Sequence, residues 1–293
     1  MVKINLMRLA AFVVICLFVM DTTNAQTKVW GVGSGTGVAD AEFSSAFTQT
    51  GTAGSYGATV WTALSINQGD GTATGNNSVT PGNAYWVRNT TGLSQGAYAG
   101  TVPASSASMS NGLAIFDSDF MDNGGVQGAF GTGTSPTDHI GELISPRIDL
   151  SGYTDSALVV QFYLYWRNFY SDLSLHVSTD DGLTWPHSAD VDLLLPCPTN
   201  DPPAEGMVRA LFTNATAGVA NLTQCRIKFV FDGGYYYSMI DDITVEVAPL
   251  YDIAMGNADS DPNGTLVDAG NFVKIGSNAY IPSLNIDPTD LRE

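Results

Sequence analysis

The stretch that decides the fold is residues 158–166, which read LVVQFYLYW. Every second position, from 158 to 166, carries an apolar or aromatic side chain. Three later stretches, 172–178, 225–232 and 243–247, also alternate with a period of two. Successive side chains of a strand point to opposite faces, so this pattern predicts antiparallel strands that bury one face in a core. Stacked sheets of such strands predict an all-β, two-sheet antiparallel β-sandwich, or jelly roll.

The composition narrows the class of protein. The 293 residues carry 11 Lys and Arg against 29 Asp and Glu, which gives a formal net charge of −18. This charge excludes a basic nucleic-acid groove and opposes docking on anionic membranes. Hydrophobic residues make up 44% of the chain, which is too many for a disordered protein. Few charges and 31 glycines are typical of an extracellular all-β protein.

Residues 1–25 predict a secretory signal peptide. Lys3 and Arg8 precede an apolar run at 9–20, which is shorter than the roughly 20 residues of a membrane span. Small residues at Thr23 and Ala25 then provide a cleavage site. We therefore expect a mature chain that is secreted or displayed at the cell surface and does not insert into the membrane. An uncleaved anchor is the alternative.

The composition changes near Pro249, which predicts a domain boundary. Residues 26–248 contain the alternating strands and are expected to form one jelly-roll domain. Residues 249–293 are too few for an independent β domain. They are expected to be a linker and the incomplete beginning of a second β-rich domain. A C-terminal hairpin packed on the first domain is the alternative.

Two cysteines remain after the signal peptide, Cys197 and Cys225. In an oxidising compartment, two cysteines most simply pair with each other. A bond that closes a loop of this length could contribute about 3–4 kcal/mol to stability. The sequence therefore predicts a disulfide, with two free thiols as the alternative.

The strongest local motif is residues 178–185, STDDGLTW, which matches the Asp-box pattern S-x-D-x-G-x-T-W. In such a turn a carboxylate accepts backbone N–H groups and a glycine takes a positive φ. We expect a structural hairpin turn, with its motif residues at Ser178, Asp180, Gly182, Thr184 and Trp185. Sialidases repeat the box and need clustered arginines, whereas the arginines of this chain are scattered.

Two pairs of aspartates are the candidate metal ligands. Asp117 and Asp119 follow an apolar stretch, and Asp241 and Asp242 precede the last alternating stretch. Oxygen ligands from distant strands suit Ca²⁺, which takes six to eight of them. The sequence therefore predicts a structural calcium ion held by these residues. Solvated turn carboxylates are the alternative, and catalysis by these acids is a weaker third interpretation.

The remaining candidates for function are dense aromatic side chains. They lie at Tyr235–Tyr237 and at 163–170. Sugars stack on exposed Tyr and Trp rings, because their C–H faces meet the π face of the ring. Core packing accounts for most of these aromatics, so we expect only a minority to face solvent.

These features together resemble the bacterial choice-of-anchor J family, close to MAM-like and cleaved-adhesin jelly-roll domains. The resemblance covers about residues 40–248 and consists of NGLAIFDSD at 111–119, ELISPRIDLS at 142–151, the Asp-box hairpin and IDDI at 240–243. It implies that Asp117, Asp119 and Asp242, and less firmly Asp241, are ligands of a structural calcium. It also implies a module of a larger secreted or surface protein. The signal peptide resembles those of Gram-negative exported proteins.

Sequence and resemblance lead to one main functional interpretation. We expect a non-catalytic, calcium-stabilised binding or adhesion module that recognises a glycan or an extracellular protein. One alternative is an accessory domain of a secreted glycosidase-type hydrolase, or such a hydrolase itself. Another is a structural spacer of a large surface protein.

Overall fold

The computed structural model describes residues 27–68, 84–130 and 138–249, together with two short strands at 274–275 and 279–280. The strands are β1 (Thr27–Gly31), β2 (Thr48–Thr50), β3 (Thr62–Gln68), β4 (Val87–Asn89), β5 (Leu113–Asp117), β6 (His139–Ile144), β7 (Ser156–Asn168), β8 (Ser171–Ser178), β9 (His187–Asp190), β10 (Ala204–Phe212), β11 (Arg226–Gly233), β12 (Tyr236–Pro249), β13 (Lys274–Ile275) and β14 (Ala279–Tyr280). Short helices are α1 (Val38–Ala41) and α2 (Ser118–Asp122), and 3₁₀ turns lie at Met109–Asn111 and Val191–Leu193.

The strands of the described domain form two six-stranded sheets, which confirms the expected all-β sandwich. Sheet A has the order β10-β7-β12-β5-β4, and β1 pairs with the later part of β12. Sheet B has the order β2-β3-β6-β11-β8-β9. All pairings within the two sheets are antiparallel except that of β2 with β3. The strands β13 and β14 form a separate two-stranded ladder.

The main core lies between the two sheets. Phe162 of β7 meets Phe229 of β11 edge to face, with ring centroids 4.9 Å apart. Phe116 of β5 stacks on Phe231 of β11 at 4.5 Å. These residues occupy alternate strand positions, so the period-two pattern of the sequence corresponds to the inward faces of both sheets.

The longest strands, β7 and β12, form the centre of sheet A. They pair from Tyr236 opposite Asn168 to Pro249 opposite Ser156. The register shifts between Asp241 and Thr244, and Asp242 has a φ of +50°. This shift is a β-bulge, which turns two consecutive side chains away from strict alternation.

The outer face of sheet A is covered by residues 90–112, which we call the cover loop. This face is itself aromatic and apolar. A second buried cluster includes Tyr163, Tyr165, Met239 and Ile115, with Ala104 of the cover loop packed among them. The backbone N–H of Ser105 donates to the Tyr163 hydroxyl at 2.7 Å. The cover loop therefore removes from water a sheet face that would otherwise expose large aromatic side chains.

The expected disulfide is absent from the structure, in which Cys197 and Cys225 are both free and buried. The prediction of a bond was wrong because the two cysteines lie far apart. The Cys197 carbonyl accepts Asn168 Nδ2 just before the start of β8, whereas Cys225 directly precedes Arg226, which pairs with Ser178 at the end of β8. Each thiol instead has a local partner. Cys225 Sγ donates to the Leu222 carbonyl, and Cys197 Sγ to the Pro202 carbonyl. Burial raises the pKa of the Cys225 thiol to about 12, which suppresses the reactive thiolate.

Several expectations concern residues outside the described ranges. The signal peptide at 1–25 is one of them, as is most of the segment at 250–293. The predicted second domain at the C-terminus therefore stays a prediction. Among the described residues, no helix has the length and apolar character needed to span a bilayer.

Candidate functional site

The four aspartates predicted to hold one calcium ion lie in two separate pairs. Because β5 and β12 are antiparallel, Asp117 lies opposite Tyr237, four residues before Asp241. Four residues of strand span about 13 Å. Among the described residues, no group of three or more His, Cys, Asp or Glu side chains is placed to hold a metal ion. The prediction of one shared four-carboxylate site was therefore wrong, because this register puts the pairs at opposite ends of the β5–β12 pairing.

The first pair binds the beginning of the cover loop. The Asp117 carboxylate accepts hydrogen bonds from Ser94 Oγ and from the backbone N–H of Gln95, both at 2.7 Å. The Asp119 carboxylate accepts the backbone N–H of Tyr98 at 2.8 Å. Burial raises the pKa of Asp117 to about 6, and it also raises the pKa of Asp119. Asp117 thus accepts both a hydroxyl and a backbone donor of the loop, and Asp119 accepts a backbone donor.

The second pair binds the end of the same loop. Asp241 accepts hydrogen bonds from the hydroxyls of Ser106 and Ser108. Asp242 accepts the Ser108 hydroxyl at 2.6 Å and the backbone N–H of Ala107 at 2.7 Å. The bulge at this point lets two consecutive carboxylates reach one loop. Burial raises the pKa of Asp241 to about 6.

These contacts give the aspartates a role that the sequence analysis did not foresee. Together they attach the cover loop to sheet A at its two ends. Asp119 and Asp241 are fully buried, so neither carboxylate faces a cleft where a substrate could bind. One oxygen of each, Oδ1, is buried without a hydrogen-bond partner. The donors of the cover loop thus leave one carboxylate oxygen unsatisfied at each of its two attachments.

A cluster of aromatic side chains surrounds the connection from β7 to β8, and we call it the aromatic end. Its members are Tyr98, Phe130, Phe169, Tyr170, Tyr235 and Tyr236. Tyr98 is the central ring, with centroid distances of 5.6 Å to Phe130 and 5.7 Å to Tyr235. Phe130 is 74% exposed, Tyr170 71% and Tyr98 37%. Exposed aromatic side chains that cluster on a surface make this end a candidate interaction site.

Polar groups lie directly beside these rings. The Arg167 guanidinium stacks 4.1 Å from the centroid of the Tyr236 ring and donates to the Tyr98 carbonyl at 3.1 Å. The Tyr236 hydroxyl donates to Asn200 Oδ1 at 2.8 Å. Arg167 therefore links the Tyr236 ring to the backbone of Tyr98 and adds a planar donor group to the rim of the aromatic end.

Two residues of the aromatic end have strained backbones. Tyr170 has a φ of +56° and Tyr236 a φ of +61°. Bulky side chains rarely adopt this left-handed region, and each instance costs about 1–3 kcal/mol. Strain that the surrounding structure maintains is concentrated at functional sites, so its presence here favours a binding role.

The aromatic residues singled out from the sequence divide into two groups. Those inside the sandwich or under the cover loop are Tyr163, Tyr165, Trp166 and Tyr237. Phe169, Tyr170, Tyr235 and Tyr236 belong to the aromatic end. Tyr98, Phe130 and Arg167 could not be recognised from the sequence, because nothing in their local sequence connects them to rings that are distant along the chain.

The Asp box forms the turn between β8 and β9. Asp180 accepts the backbone N–H of Thr184 at 2.9 Å and its hydroxyl at 2.7 Å. Ser178 Oγ donates to Asp180 at 2.7 Å, and Gly182 has a φ of +86°. Trp185 leaves the turn half-buried against Lys228. The neighbouring Asp181, which the motif does not specify, accepts hydrogen bonds from Arg147 and Arg226.

Comparisons with known proteins give likenesses to solved structures alone. No protein-family model matches the chain. No curated protein matches it either. A putative sugar-binding protein from Bacteroides thetaiotaomicron is 12% identical, with 70% of this chain and 95% of that chain covered and a TM-score of 0.35. The K1 cleaved adhesin domain of Lys-gingipain from Porphyromonas gingivalis is 14% identical, with coverages of 64% and 90% and a TM-score of 0.33. The module TmCBM61, solved with β-1,4-galactotriose, is 13% identical, with coverages of 51% and 74% and a TM-score of 0.24.

Proposed function

We propose that the protein is a non-catalytic secreted or cell-surface binding and adhesion module that recognises a glycan at its aromatic end. The observation that carries this proposal is the exposure of Phe130, Tyr170 and Tyr98 in one contiguous cluster. Exposed rings in a rigid arrangement lose little conformational entropy when a ligand stacks on them. Arg167 and Asn200 beside the rings offer hydrogen-bonding groups for hydroxyls.

The position of the acidic residues supports a binding role over a hydrolytic one. A glycosidase-type reaction needs two carboxyl groups that flank the scissile bond of a bound sugar. Asp117, Asp119, Asp241 and Asp242 are instead buried beneath the cover loop, with oxygens committed to loop donors. Their chemistry here is to position a loop, and that loop carries Tyr98 to the aromatic end.

The experiment is a depletion assay with the purified protein and a panel of insoluble polysaccharides. We expect one polysaccharide to deplete the protein without release of soluble sugar. Tyr170→Ala and Phe130→Ala should each weaken that binding about tenfold, which corresponds to about 1.4 kcal/mol. Leu193→Ala is the matched control, since Leu193 is also 76% exposed but lies outside the aromatic end. Release of sugar, or depletion that both ring variants leave unchanged, would overturn the proposal.

Calcium stabilisation forms part of the same proposal, now placed at the Asp117–Asp119 pair. The support is Asp119 Oδ1, a buried carboxylate oxygen without a donor. A buried carboxylate without a partner is costly, and a cation beside it would compensate its negative charge. Calcium should then raise the melting temperature of the protein, and a chelator should lower it. Asp119→Asn should lose this response while Asp242→Asn keeps it. Identical melting curves of the wild type in calcium and in chelator would end this part of the proposal.

A further inference from the structure

The outer face of sheet B presents a second arrangement suited to a ligand. The register places Lys228 opposite His176, and His176 opposite Ser188. The next row contains Val230, Ser174 and Asp190, with Glu142 on the neighbouring strand. Residues between these positions, such as Phe229 and Leu175, point into the core. The outer face is therefore a polar surface rich in hydrogen-bonding side chains.

Two aromatic side chains lie on this face, Trp185 of the Asp-box turn and Tyr56 of the segment before β3. The Lys228 ammonium lies 4.7 Å from the centroid of the Trp185 ring. A Cβ atom on Gly182 would lie 2.7 Å from Tyr56 Cε2 and 3.2 Å from Trp185 Cζ2. Both rings thus close over the backbone of Gly182, which explains why that position has no side chain. Tyr56 and Trp185 are each half-buried, so part of each ring faces solvent.

The charges on this face are paired, and that pairing indicates the class of ligand. Lys228 forms an ion pair with Glu142, and Arg147 and Arg226 share Asp181. Burial and the charge of Lys228 lower the pKa of His176, which favours its uncharged form. The three basic side chains stand beside the acids Glu142, Asp181 and Asp190, so the face carries little net charge to attract a cation. A polyanion would meet a chain with a net charge of −18. A neutral, hydroxyl-rich ligand satisfies both conditions.

We propose that the Tyr56–Trp185 pair and the polar rows of sheet B form a second glycan-binding surface, selective for neutral polysaccharide chains. The strand β8 joins this surface to the aromatic end, since Tyr170 precedes β8 and the Asp box follows it. Eight strand residues span roughly 25 Å, so the two surfaces are separate. One chain can therefore hold two polysaccharide segments and gain avidity for an insoluble substrate.

Trp185 makes this surface directly measurable. The chain has five tryptophans, and the other four, Trp30, Trp61, Trp86 and Trp166, are at most 6% exposed. Quenching of tryptophan fluorescence by acrylamide therefore reports mainly on Trp185. The probes are neutral oligosaccharides (cello-, xylo-, manno- and β-1,4-galactohexaose) and, as an anionic comparison, hexagalacturonate. We expect at least one neutral probe to reduce quenching saturably by about twofold or more, as stacking buries the ring.

Variants separate this surface from the aromatic end. Tyr56→Leu should weaken the protecting oligosaccharide about tenfold in this assay, while Tyr170→Ala should leave its affinity unchanged. If Tyr56→Leu fails to fold, the protection of Trp185 by oligosaccharides in the wild type tests the proposal by itself. The proposal is overturned if no neutral oligosaccharide protects Trp185 or if only the anionic one does. It is overturned equally if Tyr170→Ala abolishes the protection, which would assign the signal to the aromatic end.

Discussion

The outer faces of the two sheets are built in opposite ways. The outer face of sheet A carries Tyr163, Tyr165 and Met239, and the cover loop buries it. The outer face of sheet B carries Lys228, His176 and Ser188, and its side chains range from buried to exposed. The difference follows from composition. A strand that is apolar on both faces needs cover on both, whereas an alternating strand can meet water on one.

The comparison also explains where the buried acids are. A long loop over an apolar face must satisfy its own backbone donors without water. Asp117, Asp119 and Asp242 accept such backbone donors from beneath the cover loop, and Asp241 accepts the hydroxyls of two of its serines. On sheet B the acids instead neutralise basic side chains: Glu142 pairs with the buried Lys228, and Asp181 pairs with the exposed Arg147 and the buried Arg226. Carboxylates thus attach the cover loop on the outer face of sheet A and balance basic side chains on the outer face of sheet B.

The largest expected effect comes from removing the hydroxyl donors beneath the cover loop. The double variant Ser106→Ala/Ser108→Ala leaves the buried Asp241 carboxylate without its hydroxyl partners, which should cost about 3 kcal/mol of unfolding free energy. The melting temperature should fall by about 6–12 °C. The matched control is Ser174→Ala/Ser188→Ala on sheet B, where the change should stay within about 0.5 kcal/mol. If both double variants lost the same unfolding free energy, the proposed difference between the outer faces of sheets A and B would be wrong.

A smaller effect is expected from pH at the edge of sheet B. Burial, with Asp172 and Asp190 nearby, raises the pKa of Asp192 from 3.8 to about 6. The folded state therefore binds this proton more tightly than the unfolded state, and the stability contributed by Asp192 grows as pH falls through 6. Asp192→Asn keeps an acceptor for the Leu173 N–H. At pH 7.5 this variant should melt about 2–4 °C higher than the wild type, for a gain of about 1 kcal/mol. At pH 3.5, where Asp192 of the wild type is protonated, the two proteins should melt at the same temperature. Thermal melts at both pH values test this, and a variant less stable than wild type at pH 7.5 would show the sign to be wrong.

A substitution at Tyr170, in the connection between the two sheets, should change stability and glycan binding in opposite directions. Tyr170 links β7 to β8 with a φ of +56° and is 71% exposed. Tyr170→Gly removes the strain of a left-handed tyrosine and loses little buried area, so stability should rise by about 0.5–1 kcal/mol. Glycan depletion should nevertheless weaken, as for Tyr170→Ala. Denaturant melts and the depletion assay test both parts, and a destabilised glycine variant would contradict the strain argument.

The smallest expected effect is that of a reducing agent on the core between the two faces. With Cys197 and Cys225 as free thiols, reduction should leave the melting temperature unchanged. A disulfide would have contributed about 3–4 kcal/mol, and its loss would be obvious. Thiol titration should find both groups only after unfolding, because both are buried. An intact mass two hydrogens below that of the reduced chain would show that the two cysteines do form a disulfide.

Much of the fold could be predicted from the sequence, whereas the candidate site could not. The alternating stretches from 158 to 247 correspond to β7, β8, β11 and β12 in the structure. Alternation is a local property, so it can be read without knowledge of partners. The aromatic end, in contrast, brings Tyr98 and Phe130 to Tyr235 across more than 100 residues. No local sequence pattern predicts these contacts, because the paths of the loops bring the rings together.

The sequence by itself determined that the four alternating stretches between 158 and 247 form strands with an apolar face, and that the Asp box makes a turn at 178–185. These properties depend on neighbouring residues and on the geometry of single strands and turns. The tertiary structure alone decided that Asp117 and Asp241 lie apart and that Cys197 and Cys225 do not bond. Register between strands and the path of the cover loop set these distances. Both result from packing over the whole sandwich, which no short stretch of sequence specifies.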